Sequence, residues 1–496
     1  MAFPYNNIPF VSLFLVLFSA ILVPLLKREG QALALVRVVQ LMVAGLSALL
    51  LALLWQSGES FPFVLGHIPA PWGNELRAGP LEALLSLAFS LVMVLSMTGG
   101  AADLRTDLRP EAQGRFCLLM QLLFASLLAM VYTNDLFTAY VFIEIAAVTA
   151  CIAAAAKETG RAVAAATRYL IFSCLGSGLV LLGIALLYCV TGHLLMEDLG
   201  RSIVQLAQSG QYTVPLTVSA LVMTMGLAIK SAQFPFHGWL PDAHASATTA
   251  ASAILSGLVL KGYLVLLLKL IVRVFGPELL VGVYMHDLLF LLGLVGMLFS
   301  SVAALRQEDV KKMIAYSSSA QISYIFLALG LGIRAGTAAA CFQILAHAVT
   351  KPMIFVGAGA LIRAGRGEHY WSSLRGAAWR EPVGGVAFTV GGLSLCGLPL
   401  LAGFSSKYSL AVAALSAGWR TMPALFGLAV SSVLNAMYYI PAILVIWGQG
   451  AGERLSVQKG HWELNLSVVF FLGCNVLLGV LVGPILALIY QGLELL

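Results

Sequence analysis

Residues 213–244 read TVPLTVSALVMTMGLAIKSAQFPFHGWLPDAH. The stretch opens as an uncharged apolar run, reaches a lysine at Lys230, and turns at Pro235. Runs of this kind recur along almost the whole chain, at about 18–25 residues each, the length a helix needs to cross about 30 Å of hydrocarbon. Helix is the natural conformation there, because lipid offers no partner to a free backbone group. The fold class is therefore an all-α polytopic membrane protein. We place about fourteen transmembrane helices at 8–26, 33–55, 79–98, 114–132, 135–156, 165–191, 213–234, 248–272, 287–305, 310–331, 336–362, 384–416, 421–447 and 464–490.

Composition agrees with that class. Of 496 residues, 60% are apolar and only 10% charged, against roughly 25% charged in soluble domains. The first run, Ile8 to Leu26, has no preceding positive charge and is followed by Lys27 and Arg28. A cleaved signal has the reverse order, so the run reads as a first span. With these spans, eighteen of the 28 lysines and arginines, Lys27, Arg28, Lys311, Arg375, Arg454 and Lys459 among them, are assigned to the loops of one side and five, Arg201 among them, to the other, the remaining five lysines lying within spans. The positive-inside rule makes the first side cytoplasmic and places both termini outside, in an inner or plasma membrane. Trp55, Trp239, Trp419 and Trp447 are expected in an interfacial belt. The net charge of +6 follows from this loop asymmetry and does not indicate nucleic acid. The seven cysteines lie in apolar runs without CxxC spacing, so they read as core fillers and no metal or cluster site is expected. No P-loop and no GxGxxG after a strand occurs, and no cofactor is implied.

Lys230, Lys261, Lys269, Lys351 and Lys407 lie within spans, and Glu144 is the acid deep inside one. A charge at the bilayer centre costs about 2.5–3.5 kcal/mol or more, so each needs a reason. Lys269 lies near a span end and reads as snorkelling, its stem buried and its ammonium at the interface. Glu144 is too short to snorkel. An opposed Glu–Lys pair makes the proton affinity of the lysine adjustable, which is a physical basis for a proton switch with Glu144 as modulator. His347 and Lys351 are four residues apart and share a helix face. His237 and His244 flank the Trp239–Asp242 turn. These pairings of histidine with buried lysine read as a proton relay.

Breakers lie beside two of the lysines: Pro235 after Lys230, and Gly397, Pro399 and Gly403 before Lys407. Broken helices in corresponding positions of two halves point to a transport site. Spans four to eight and nine to thirteen are both five-helix sets, and an odd number inverts the second against the first. The organisation read from this is N-terminal helices in 1–113, a first repeat in 114–272, a second, inverted repeat in 273–447, and a last helix in 448–496.

The stretches Asn134–Glu144, Lys230–His244, Asp309–Ser318, His347–Lys351 and Gly397–Lys407 together resemble the proton-translocating antiporter-like subunits of respiratory complex I, Mrp-type sodium/proton antiporters and membrane-bound hydrogenases. The resemblance covers roughly residues 80–445. It implies that Glu144 and Lys230 form the modulating pair, that Lys261, His347 and Lys351 form a central relay, and that Lys407 lies on the exit side. Thr248, Thr249 and Ala250 replace a proline-containing turn common in complex I members. Ser256 and Gln343 stand where many members have histidines. The Ser-Gly pair before Lys261 and the wording of the fifth helix lean toward the Mrp and hydrogenase branch. The partners implied are other membrane subunits, the lipid bilayer, and protons or sodium ions. No catalytic chemistry is read in this chain, and redox chemistry, where the complex performs it, belongs to other subunits. The competing reading is a self-sufficient secondary transporter for another solute.

Overall fold

The computed structural model describes residues 5–26, 30–68, 73–282, 284–448 and 461–496. The chain begins with α1 (Ile8–Leu22), α2 (Gln31–Ser57), a hairpin of β1 (Phe61–Val64) and β2 (Glu75–Ala78), α3 (Pro80–Gly99), α4 (Ala101–Asp107), α5 (Pro110–Tyr132), α6 (Leu136–Ala154) and α7 (Gly160–Thr191). There follow α8 (Met196–Ser209), α9 (Thr213–Lys230), α10 (Leu240–Ser246), α11 (Thr249–Ile254), α12 (Leu260–Lys269), α13 (Gly276–Gly282), α14 (Met285–Leu305), α15 (Val310–Gly330) and α16 (Arg334–Ala364). The last elements are α17 (Ala377–Arg380), α18 (Pro382–Cys396), α19 (Ala402–Ala414), α20 (Thr421–Trp447), α21 (Trp462–Val480) and α22 (Val482–Glu494).

Helix ends follow local chemistry. Proline occupies the first turn of α3, α5 and α18, where its missing N–H costs nothing. The Asp135 carboxylate accepts from the Thr138 N–H at 2.6 Å, and the Asp309 carboxylate from the Lys312 N–H at 3.1 Å, capping α6 and α15. Gly192 closes α7 in the left-handed region at φ 72°, which costs glycine little.

Among the described residues, twelve helical stretches are long and apolar enough to cross a bilayer. The chain is thus a multi-pass membrane protein. α15 is as long as α14, but its buried surface carries Ser317, Ser318, Ser319, Gln321 and Ser323. α18 and α19 are two shorter helices separated by a break at residues 397–401. The α9 break at Ser231–Pro235 is pinned from outside: Ser319 donates to the Ala232 carbonyl at 3.0 Å, and Gln233 donates to the Leu292 carbonyl at 2.7 Å. A third break, between α21 and α22 at Leu481, carries no lysine and was not read from the sequence.

Contacts define two ends. The hairpin end gathers the β1–β2 ladder, Arg77 donating to the Leu495 carbonyl at 2.8 Å, and the Arg420–Asp287 pair at 2.5 Å. The amphipathic α8 lies here, packed on the residues after α12. The basic end gathers Arg37 and Arg105 around Glu463 at 2.9 and 2.7 Å, Lys157–Asp107 at 2.7 Å, and the Asp103–Arg363 pair. Lys27, Arg28, Arg454 and Lys459, assigned above to the basic loops, lie outside the described residues.

Three expectations need correction. Lys269 does not snorkel: it is 2% exposed and donates to the Val131 and Thr133 carbonyls, the latter at 3.0 Å. Lys311 is no loop cation: it is buried and donates to the Ala247 carbonyl at 2.9 Å. Trp239 is no belt residue: it is buried and stacks on Tyr169 with ring centres 4.3 Å apart. Periodicity places a residue along a helix but cannot say which end of a neighbouring helix it meets.

α14 and α15 meet almost backbone to backbone. A Cβ on Gly293 would lie 2.3 Å from the Leu327 nitrogen, and one on Gly330 would lie 2.2 Å from the Phe290 nitrogen. Small residues permit such approaches between membrane helices. Gly293→Ala is predicted to destabilise the chain by at least about 1–3 kcal/mol, read as loss of monodisperse protein in detergent. Gly178→Ala, where nothing lies within 4 Å, should leave the yield unchanged.

Candidate ion-translocation site

Lys230 and Lys261 sit beside helix interruptions, whereas Lys351 lies within the continuous α16 and Lys407 within α19. Lys230 ends α9. Its ammonium lies 3.7 Å from the Glu144 carboxylate, donates to the Ser173 hydroxyl at 2.9 Å, and sits 5.3 Å from the Tyr263 ring centre. Lys230 is fully covered, whereas the Glu144 side chain is 34% exposed. Glu144 therefore reaches the outer surface of the fold beside Val141 and Ile145 on α6.

Lys261 follows a π-helical turn, Leu255–Val259, a widened helix often found at functional sites. Its ammonium donates to the Ser256 carbonyl within that turn. The Ser256 hydroxyl pairs with Ser318 at 2.9 Å, and Ser318 donates to the Ile314 carbonyl at 3.0 Å. Lys351 donates to the same Ile314 carbonyl at 2.9 Å and to the Tyr439 hydroxyl at 3.3 Å. Tyr439 pairs with Ser317 at 3.1 Å, the Ser317 and Tyr438 hydroxyls share a hydrogen bond at 3.0 Å, and the single Tyr438 O–H donates to the Asn435 side-chain oxygen. Asn435 donates to the Leu395 carbonyl at 3.1 Å, which also accepts from Lys407 at 2.7 Å. Lys407 completes its shell on the Cys396 carbonyl and the Ser432 hydroxyl, at 3.3 and 3.0 Å. One hydrogen-bonded chain thus runs from Lys261 through Lys351 to Lys407.

The histidines stand beside this chain rather than in it. His347 is 1% exposed, its two ring nitrogens make no hydrogen bond, and Lys261 and Lys351 are its charged neighbours. His244 is buried and stacks on Phe355 with ring centres 4.6 Å apart; its charged neighbours are Lys311, Lys351 and Lys261. His237 is half-buried between Phe234 and Tyr316, and no hydrogen bond ties it to a midplane lysine. At the basic end, beyond the α9 break, a polar cavity of about 800 Å³ is lined by Arg161, Arg306, Asp309 and His369. Asp242 borders it, held by Arg168 at 2.5 Å and Lys312 at 2.9 Å. His369 lies 3.7 Å from Asp309, but burial and the nearby Lys311 and Lys157 push its pKa down to about 4, so it is neutral near pH 7.

Residues 133–434 match the family described as NADH:quinone oxidoreductase/Mrp antiporter, transmembrane. The chain belongs to this family. Among its relatives is the NADH-quinone oxidoreductase subunit N of Desulforudis audaxviator, 36% identical over 395 residues and covering 78% of this chain and 75% of that protein. A subunit N from Rhizobium meliloti is 28% identical, covering 89% of each. Two solved structures share the architecture. A chain of an archaeal respiratory complex, the membrane-bound sulfane sulfur reductase, superposes with a TM-score of 0.86 at 26% identity, over 99% of this chain and 96% of that one. A chain of the Mrp complex from Dietzia sp. superposes at 0.85 over 100% and 97%, with 22% identity, and shows the fold alone.

Sequence reasoning singled out the buried charged residues of this site but not the groups that link them. Ser317 and Ser318 entered only as the end of the stretch Asp309–Ser318, and Asn435, Tyr438 and Tyr439 carried no signal, because single hydroxyls and one amide in apolar helices have no spacing pattern. Ser256 was noticed only as a departure, yet it joins the chain. Gln343 packs on Gln321 at 2.9 Å and accepts from Ser406, one layer aside. Tyr439→Phe removes one hydroxyl link and keeps the ring. A hydrogen bond to a charged group is worth about 1.5–3 kcal/mol, so ion flux per assembled complex should fall roughly tenfold or more. Equal flux in the Phe variant would show that the Tyr439 link is dispensable.

Proposed function

We propose that this antiporter-like membrane subunit carries protons or sodium ions across the bilayer within a multisubunit complex, along the polar axis Glu144, Lys230, Lys261, His347, Lys351 and Lys407. The observation that carries this reading is the unbroken hydrogen-bonded chain from Lys261 to Lys407 in the interior of a membrane fold. Such a chain has no packing value that leucines would not supply more cheaply, since burying each cation is costly. A self-sufficient transporter for an organic solute is disfavoured, because the relatives named above are subunits of larger assemblies. His237 and His244 serve as relays between the cavity at the basic end and the midplane.

In this reading fourteen passages cross the membrane, with residues 114–272 and 273–447 as two inverted five-helix repeats between an N-terminal set, 1–113, and a last passage in 448–496. The excess of arginine and lysine at the basic end faces the cytoplasm of an inner or plasma membrane, with both termini outside. Any redox step that drives the flow occurs in other subunits. The Glu144–Lys230 pair is the modulator: while it is closed the lysine keeps its proton, and separating it frees the proton for the chain.

Glu144→Gln keeps the shape and removes the charge. Complex assembly should persist while ion flux in sealed vesicles falls at least about tenfold, the effect of losing some 1.4 kcal/mol of interaction; Glu144→Asp should retain part of it. Normal flux in the Gln variant, at normal protein levels, would remove Glu144 from the mechanism. The orientation has a separate test. In a background without native cysteines, a membrane-impermeant thiol reagent applied to intact cells should label a cysteine at the exposed Arg201 and not one at the exposed Arg375. Labelling of 375 alone, or of both equally, would reverse or remove the assignment.

A further inference from the structure

Helix α12 carries a second buried base, Lys269, eight residues beyond Lys261 and about 12 Å further along the axis. Each base adjoins a π-helical stretch: Leu255–Val259 before Lys261, and Leu270–Phe275 after Lys269. Arg273 lies in the second stretch, 9% exposed, and its two terminal guanidinium nitrogens are buried without a hydrogen-bond partner. Glu82, 3% exposed at the start of α3, accepts from the Gly79 N–H at 3.0 Å. Its charge acts on both Lys269 and Arg273. The buried Tyr132 hydroxyl and the Asn134 side-chain oxygen at the end of α5 are also unpartnered.

We propose that Lys269 is a second proton-exchanging station, on the hairpin side of the midplane chain, with Glu82 as its counter-charge and Arg273 as a fixed positive neighbour. The proposal rests on the ion-translocation reading above. A lysine that only capped the α5 carbonyls would explain its bonds to Val131 and Thr133. It would not explain two buried bases within electrostatic reach of one buried carboxylate, nor a guanidinium whose terminal nitrogens are left without partners. Of the two bases, only the ammonium can release a proton near neutral pH, because guanidinium does not. The step is simple: the Lys269 ammonium gives one proton to water and becomes the amine, and the reverse step restores the cation. Water is one layer away. α8 covers the cluster, with Gly200 so close to the Arg273 carbonyl that a Cβ would lie 2.3 Å from its oxygen. On the outer side of α8, the half-exposed Glu197 pairs with Arg77 of β2 at 3.3 Å. The titratable and charged groups facing the station are therefore Glu82 on α3, Tyr132 on α5, Arg273 after α12, Glu75 and Arg77 on β2, and Glu197 on α8.

The test uses the whole complex in sealed vesicles, with proton flux normalised to assembled complex across a pH series. Lys269→Arg keeps the charge and the carbonyl donors, so it separates proton exchange from capping. Both Lys269→Arg and Lys269→Gln are expected to lose flux at least tenfold. Glu82→Gln is expected to move the flux–pH profile to lower pH, because the ammonium loses its counter-charge. Wild-type flux in Lys269→Arg would overturn the proposal and leave Lys269 as a cap. Should the Arg variant fail to assemble, an unchanged pH profile in Glu82→Gln would overturn it as well. Glu144→Gln, measured alongside, keeps the two readings apart. Loss there with normal flux in the Lys269 variants defeats this proposal alone, whereas normal flux there defeats the translocation reading beneath it.

Discussion

An ammonium group buried in a bilayer must find its solvation inside the protein, and this fold supplies it almost entirely from main-chain carbonyls. Lys261 uses Ser256 in a π-turn, Lys269 the end of α5, Lys311 the end of α10, Lys351 the Ile314 carbonyl, and Lys407 the end of α18. Helix ends and widened turns are where carbonyls lack intrahelical partners. The interruptions of the helices and the positions of the lysines are therefore one feature. A helix broken in hydrocarbon needs a donor for its freed carbonyls, and a lysine in hydrocarbon needs acceptors.

Carbonyls are neutral, so they orient an ammonium without fixing its charge. Lys230 is the exception among the midplane lysines, because it faces the Glu144 carboxylate. Among the described residues the one carboxylate facing these lysines thus lies at one end, on a residue that is itself partly open at the outer surface of α6. The protein rim around that residue is small and apolar, with Ile143 and Ala147 buried behind it and Val141, Ile145 and Val148 turned outward. Whatever covers this surface changes the medium in which the pair interacts, and the attraction between two charges scales inversely with that medium's dielectric constant.

Much of this was legible in the sequence, for a physical reason. Transmembrane helices are selected by length and apolarity, both local properties, so the passages and the breaks at Pro235 and Gly397–Pro399 could be read directly. Glu144, Lys230, Lys261, Lys351 and Lys407 stood out because charge in an apolar run is rare and costly. What could not be read was who meets whom. Lys269 looked like a snorkelling residue because its distance from the span end is a one-dimensional fact, while the α5 carbonyls that hold it are 136 and 138 residues away in sequence. Lys311 and Trp239 were misplaced for the same reason. The hydroxyl links at Ser317, Ser318 and Tyr439 are invisible without the packing of α15 on α16 and α20, and Glu82 sat too near a span start to attract notice.

The remaining feature is where the chain of hydrogen bonds stops. From Lys261 to Lys407 the lysines are joined by hydrogen bonds that meet at the acceptor carbonyls of Ser256, Ile314 and Leu395, whereas Lys230 faces the Tyr263 ring. An aromatic face attracts a cation yet passes no proton. The Glu144–Lys230 pair is therefore attached to the axis by charge and not by a wire. Across such a gap a change in one charge still acts, since Coulomb interaction in a low-dielectric interior reaches several ångströms with little screening. A continuous wire would let protons leak whatever the state of the pair. In the proposed reading the interruption would make the passage of charge conditional on the pair, and it lies between Glu144 and the first carbonyl-held lysine.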